Sequence, residues 1–244
     1  MRLIRWQSIC PLAIIGVLLF ANTSCNKEEN DNIITSTAIF NTDLTYGAMS
    51  DQEGNSYKTI QIGTQTWMAE NLRTTLYNDQ TSIPLLVAAS SWGGTNAGGY
   101  CNYNNEKQED TLATYGRLYN WYAVNTGKLC PSGWHVPSEA DWDILINYIA
   151  DDEEIGGMLK EAGKTHWYTP NTHATNETGF TGLPGGARFK GGSYGNQRYY
   201  GYWWTATKYS ETGAYSIGLY YYDSDLSKSG NNFQSGFSIR CVKD

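Results

Sequence analysis

Apolar and polar residues change their spacing several times along the chain, and each change predicts an element. Tyr57-Lys58-Thr59-Ile60-Gln61-Ile62 alternates at a period of two, as a half-buried strand does. Gly63-Thr64-Gln65 supplies a turn and Thr66-Trp67-Met68 begins the return, so a hairpin opens the folded region; Asp51 to Asn55 is turn chemistry ahead of it. Over residues 114–124, Leu118, Trp121 and Tyr122 fall at i, i+3 and i+4, which predicts a helix. A second helix starts at Ser138, with Pro137 outside it and Asp141 completing a capping box. Trp142, Leu145, Ile146 and Ile149 form its apolar stripe. It stops before Asp151-Asp152-Glu153-Glu154, an acidic run at the wrong end for the helix dipole and therefore read as a solvated loop, with a calcium site as the alternative. Beyond Gly156, residues 201–207, 214–222 and 236–242 read as three strands. A strand pair, two helices and a strand-rich half predict an α+β fold, and no break in composition within residues 51–244 divides it.

The start of the chain has a different texture. Arg2 and Arg5 precede the unbroken apolar run Pro11 to Ala21, which is too short for a membrane span of about 20 residues but suits an export signal over residues 1–24. Asn22-Thr23-Ser24-Cys25 resembles a bacterial lipoprotein cleavage box, although Asn22 stands where an aliphatic residue is usual; the resemblance implies a diacylglyceryl-modified Cys25. Asn26-Lys27-Glu28-Glu29 resembles the export signal that sends Bacteroidetes-type lipoproteins to the outer face of the outer membrane. The expectation is a lipid-anchored, cell-surface protein, with residues 25–50 as a polar linker holding a short strand at Ala38-Ile39-Phe40.

Composition narrows the partners. With 17 Lys+Arg against 24 Asp+Glu the net charge is −7, and losing residues 1–24 removes two of the bases and no acid, leaving −9. That balance excludes a general nucleic-acid binder, which needs a dense basic surface. With 19 Tyr, 9 Trp and only 17 % charged residues, the chain is not a disordered one.

Six ordered segments carry a family resemblance. They are residues 66–73 (TWMAENLR), 115–124 (YGRLYNWYAV), 129–138 (LCPSGWHVPS), 179–186 (GFTGLPGG), 202–207 (YWWTAT) and 236–241 (GFSIRC). Together they resemble the Fibrobacter succinogenes major paralogous domain, found in lipoproteins of Bacteroidetes and Fibrobacteres, over about residues 51–244. That family names no activity. A more distant similarity, through Trp134 to Trp142 and the closing Gly236-Phe237 to Arg240 strand, is to the formylglycine-generating and sulfatase-modifying group. It implies a single C-type-lectin-like domain, with two helices flanking small twisted antiparallel sheets and long irregular loops. With Cys10 in the signal and Cys25 acylated, Cys101, Cys130 and Cys241 remain. The way lectin-like domains staple their termini implies a Cys130–Cys241 disulfide; three free thiols are the alternative. The relative's oxidase chemistry does not carry over, because no cysteine lies between Cys130 and Cys241 to supply its late reactive pair.

Catalytic signatures are missing. There is no G-x-S-x-G, no P-loop and no dinucleotide fingerprint, so no catalytic residue, metal or cofactor is assigned. Of the three histidines, His135 reads as a packed strand residue, and His166 and His173 with Glu177 lack the tight spacing of a zinc site. The calcium-dependent sugar motifs of lectins are absent as well, and Asp223-Ser224-Asp225 is the nearest acidic pair.

What remains is aromatic: Tyr199, Tyr200, Tyr202, Trp203, Trp204, Tyr209, Tyr215 and Tyr220 to Tyr222. Strand alternation separates Trp203 from Trp204 and sends one to the core. Tyr202, Trp204, Tyr209, Tyr220, Tyr222, Asp223 and Asp225 are the candidate ligand residues, unless the rings are simply core filler. The expected function is a non-enzymatic surface module binding a glycan or a cell-surface protein. A polysaccharide-related enzyme and a structural envelope component are the alternatives.

Overall fold

The computed structural model describes residues 35–149 and 154–244. The export signal, Cys25, residues 26–29 and the acidic residues 151–153 lie outside the described residues. The strands are β1 (Gly47–Ser50), β2 (Ser56–Ile62), β3 (Gln65–Met68), β4 (Tyr100–Cys101), β5 (Leu118–Asn120), β6 (Trp134–His135) and β7 (Ala187–Arg188). They continue with β8 (Tyr194–Gly195), β9 (Tyr200–Ser210), β10 (Gly213–Tyr220), β11 (Leu226–Asn232), β12 (Gly236–Phe237) and β13 (Val242–Lys243). The helices are α1 (Ala89–Gly94), α2 (Glu109–Tyr115), α3 (Trp121–Val124), α4 (Glu139–Ile149) and α5 (Ile155–Leu159). Three antiparallel sheets result, in the orders β1-β2-β3-β13-β6, β4-β5-β12-β7-β8 and β11-β10-β9. The fold is mixed, with short helices and small sheets.

The opening hairpin forms as its alternation predicts, with Ile60 opposite Trp67. Helix α4 also forms. Asp141 Oδ2 accepts from the Ser138 amide at 2.8 Å while Ser138 Oγ accepts from the Asp141 amide at 3.2 Å, the reciprocal cap that the sequence implies. Trp142, Leu145 and Ile149 are buried along one face.

Three expectations are corrected. Residues 114–124 do not form one helix. Gly116 sits at φ +71°, where a Cβ would lie 2.6 Å from the Asn71 Cβ, so α2 ends there and Leu118–Asn120 is drawn into a sheet between β4 and β12. Asn120 then restarts the helix by accepting from the Ala123 amide at 3.1 Å. The spacing of Leu118, Trp121 and Tyr122 thus comes from a strand followed by a single helical turn. Second, no strand forms at Ala38–Phe40. Residues 35–50 lie against the domain instead, with the Ile39 amide on Glu161 Oε1 at 2.6 Å, Asn41 Nδ2 on the Asn176 carbonyl at 3.1 Å, and β1 paired to β2. Third, the closing segment is two strands. Phe237 pairs with Tyr119 in one five-stranded sheet and Val242 with Trp67 in the other, so the intervening residues stitch the two sheets together.

Strand β9 has a core on each side. Trp203 and Trp204 are both buried, on opposite faces. Trp203 packs with Trp67, Trp142 and Phe180, and Trp204 with Tyr119, Phe237, Cys130 and Cys241. Their indole N–H groups donate to Asn71 Oδ1 and to the Tyr119 carbonyl, at 2.9 and 2.8 Å.

Three buried cations donate to main-chain carbonyls, most of them in loops. Arg240 donates to the carbonyls of Met68 (3.2 Å), Thr181 (2.8 Å) and Phe180, and to Asn71 Oδ1 (2.9 Å). Arg188 donates to Gly192 (3.1 Å), Val87 (2.8 Å) and Leu86. Lys160 Nζ donates to Thr172 (2.8 Å), Tyr220 (3.0 Å) and Asp223 (2.6 Å). Among the described residues none of the three lies in an ion pair. Burial pushes the Arg240 guanidinium down to about 9 and the Lys160 ammonium down to about 8, and both are charged at neutral pH.

The Cys130–Cys241 disulfide is present, and Cys101 is buried and free. Burial raises the Cys101 thiol to about 11, which keeps it inert. Because the bond spans 111 residues, its reduction is expected to lower stability by about 4–5 kcal/mol in the chain-entropy picture. Urea unfolding with and without reductant measures this, and an unchanged midpoint would contradict it.

Candidate functional site

The sequence candidates divide three ways. Tyr202, Tyr220 and Tyr222 come together, Asp223 and Asp225 lie beside them in the turn after β10, and Trp204 and Tyr209 are elsewhere. Trp204 is 0 % exposed and belongs to the core. Tyr209 is at the far end of β9, where it meets Tyr215 at 5.3 Å and lies over Gly230.

The pairing of β9 with β10 builds the cluster. Tyr200 is directly opposite Tyr220, and Tyr202 is opposite Gly218, so the three rings share one face of the sheet. A Cβ on Gly218 would lie 2.9 Å from the Tyr220 hydroxyl, so the ring can fold over this position only because it is glycine. Tyr200 and Tyr220 meet at 4.9 Å and Tyr202 and Tyr220 at 6.2 Å. The turn after β10 adds Tyr222, stacked on Tyr220 at 5.7 Å, and Tyr221, edge-on to Tyr222 at 5.3 Å.

Two more rings extend the surface. Tyr199 meets Tyr221 at 5.4 Å, and Tyr168 meets Tyr199 at 4.8 Å. Tyr168 arrives from the loop after α5, held by its amide on the Arg198 carbonyl at 2.7 Å. No periodic signal marks that loop in the sequence. Tyr168, Tyr199 and Tyr222 are 47, 39 and 52 % exposed, and the other four rings are half-buried. The result is a continuous seven-tyrosine surface with wet edges and a packed base.

Lys160 holds this surface from below. Two of its three acceptors, the carbonyls of Tyr220 and Asp223, bracket the turn that carries Tyr221 and Tyr222. Asp223 Oδ1 accepts from the Asp225 amide at 3.1 Å, which closes the turn locally. Asn196 Nδ2 donates to the Tyr202 hydroxyl at 3.3 Å. Burial, then the neighbouring Tyr220, raises the Tyr202 phenol well above its ordinary value, and burial raises Tyr222 as well. The phenols therefore stay neutral, each able to donate and accept a hydrogen bond.

The histidines do not meet one another. His166 Nδ1 lies 2.9 Å from the buried Glu161 carboxylate and its Nε2 lies 3.0 Å from Thr37 Oγ1. His173 pairs with Glu154. His135 is not packed: it is exposed at the end of β6, between Asp244 (2.6 Å) and Asp141 (3.3 Å). Among the described residues no three His, Cys, Asp or Glu side chains are placed to hold a metal ion. Thr37 and Glu161 carry no motif in the sequence, and only the folded chain brings them to His166.

Comparison with known proteins separates family from activity. No solved structure and no curated protein matches the chain. Residues 60–243 match the family model described as the Fibrobacter succinogenes major domain. That span includes all the sheet residues that build the tyrosine surface, and the chain belongs to the Fibrobacter succinogenes major domain family.

Proposed function

We propose that the chain is a lipid-anchored, cell-surface module that binds an extracellular glycan on the tyrosine surface of β9, β10 and the following turn. The observation that carries this reading is the contiguity of Tyr168, Tyr199, Tyr200, Tyr202, Tyr220, Tyr221 and Tyr222. Exposed rings offer apolar faces to the C–H faces of a sugar, while neutral phenols, Asn196 and the Asp223 turn offer hydrogen bonds to its hydroxyls. Such a partly polar, partly stacked surface suits a ligand with the same mixed character better than an apolar one.

The location rests on the sequence of residues 1–29, with its export signal, Cys25 and the acidic signal after it. No helix among the described residues is long and apolar enough to cross a membrane. A C-type-lectin-like architecture is part of the same proposal. It is supported by the disulfide and by the C-terminal strand β13 lying beside the opening hairpin in one sheet.

Two outcomes follow. On a glycan array the chain is expected to bind, and Tyr222→Ala is expected to weaken the best hit by about tenfold, the scale of one aromatic contact. Tyr209→Ala, remote from the cluster, is expected to leave binding unchanged. Silence across the array, or equal losses in both variants, would remove the glycan reading. Separately, Lys160→Met removes the ammonium from the half-buried carbonyls of Thr172, Tyr220 and Asp223 and is expected to cost about 1–3 kcal/mol in urea unfolding, with parallel weakening of the glycan. Full stability in that variant would contradict the support assigned to Lys160.

A further inference from the structure

Glu161, His166 and Thr37 stand in the order of a carboxylate, a base and a hydroxyl. Both Glu161 oxygens lie 2.9 Å from His166 Nδ1, and the Ile39 amide donates to Oε1 at 2.6 Å, which fixes the carboxylate. Glu161 is fully buried and His166 nearly so, whereas Thr37 is exposed. With Nδ1–H on the carboxylate, Nε2 faces the Thr37 hydroxyl, 3.0 Å away, with its lone pair. Thr37 is held in place by its own amide, which donates to Thr114 Oγ1 at 3.0 Å, and Thr114 Oγ1 donates in turn to the Asp110 carbonyl at 2.8 Å.

Tyr115 stands next to this group. Tyr115 meets the His166 ring edge-on at 5.7 Å and is also a wall of a cavity of about 110 Å³, with Tyr103, Thr111, Leu112 and Gln197. The Tyr115 phenol has no hydrogen-bond partner among the described residues, and burial raises it above its ordinary value, so it remains a donor.

We propose that Thr37 and His166, positioned by Glu161, form an acyl-transfer site that hydrolyses carboxylic esters. Thr37 Oγ1 attacks the acyl carbonyl carbon as its proton passes to His166 Nε2. Tyr115 donates a hydrogen bond to the carbonyl oxygen as it gains charge. The C–O bond to the alcohol breaks, and the alcohol leaves with the proton from His166. Water, deprotonated by His166, then cleaves the Thr37 ester, releasing the carboxylic acid and restoring the hydroxyl. Glu161 keeps Nδ1 protonated and stabilises the transient imidazolium.

The probe is p-nitrophenyl acetate, given to the full chain in detergent. Release of p-nitrophenolate above buffer hydrolysis is expected, with an acetyl group on the Thr37 peptide after acid quench. Thr37→Val and His166→Gln are each expected to lower turnover at least a hundredfold, and Thr37→Ser to retain it. Tyr115→Phe should lose about tenfold in kcat. Glu161→Gln should lower kcat with KM unchanged and displace the pH–rate profile, a change that a purely structural contact would not make. No release above buffer, acetyl only on other residues, or undiminished turnover in Thr37→Val would overturn the proposal. Should Thr37→Val fail to fold, the position of the acetyl group in the unaltered chain decides.

Discussion

A domain with long loops and short strands must find donors for the carbonyls it buries, and this chain finds them in three cations. Ladder hydrogen bonds serve most residues within the sheets, but at strand ends and in loops the carbonyls of residues 68, 86–87, 172, 180–181, 192, 220 and 223 turn toward these cations. A guanidinium can serve several at once in a fixed fork, and an ammonium can serve three. The choice of carbonyls over carboxylates has a consequence. A carboxylate partner would join two points of the chain, whereas Arg240 joins the Met68 segment, Asn71 and the Phe180–Thr181 loop to the closing segment. Those contacts connect the motif around Trp67, the Gly179-to-Gly186 motif and the closing Gly236-to-Cys241 motif. Arg240 and its acceptors thus join three of the six segments that carry the family resemblance.

The tyrosine surface depends on the same device. Strand β9 can carry Trp203 and Trp204 into opposite cores because it is covered on both faces, and its end emerges from that cover as Tyr200 and Tyr202. Lys160 fixes the turn that brings Tyr221 and Tyr222 against them. An exposed aromatic surface is thereby mounted on a rigid base, which lowers the ordering cost of binding. The Thr37, His166 and Glu161 group is a separate construction, made when residues 35–50 pack across α2 and the loop after α5.

Local patterns were legible where local chemistry decides. The opening hairpin and α4 follow from alternation and from the Ser138–Asp141 cap. The disulfide was implied by resemblance and is present. Where tertiary pairing decides, the sequence was silent or misleading. Leu118, Trp121 and Tyr122 imitate a helical stripe, yet Gly116 and the pull of β4 and β12 make the first of them a strand residue. The polar strand β11 carries no apolar alternation because it is a sheet edge with mostly wet side chains. For the site, the tyrosines within and after the strands stood out as a run, but Tyr168 joins them only through the fold. Alternation separates Trp203 from Trp204 without saying that both faces are covered, and both are buried. Apolar neighbours make His135 look packed, but β6 is an edge strand, and there its exposed ring faces the Asp141 and Asp244 carboxylates.

Arg240→Met is the most direct test of the central claim, because methionine fills much of the volume while removing every donor. Urea unfolding of the oxidised chain is the measurement. If the carbonyls of Met68, Phe180 and Thr181 depend on this cation, the variant loses about 3–5 kcal/mol, the cost of stranding several buried polar groups. A loss below about 1 kcal/mol would show that water or backbone rearrangement satisfies those carbonyls equally well, and that the buried cations are passengers in the fold.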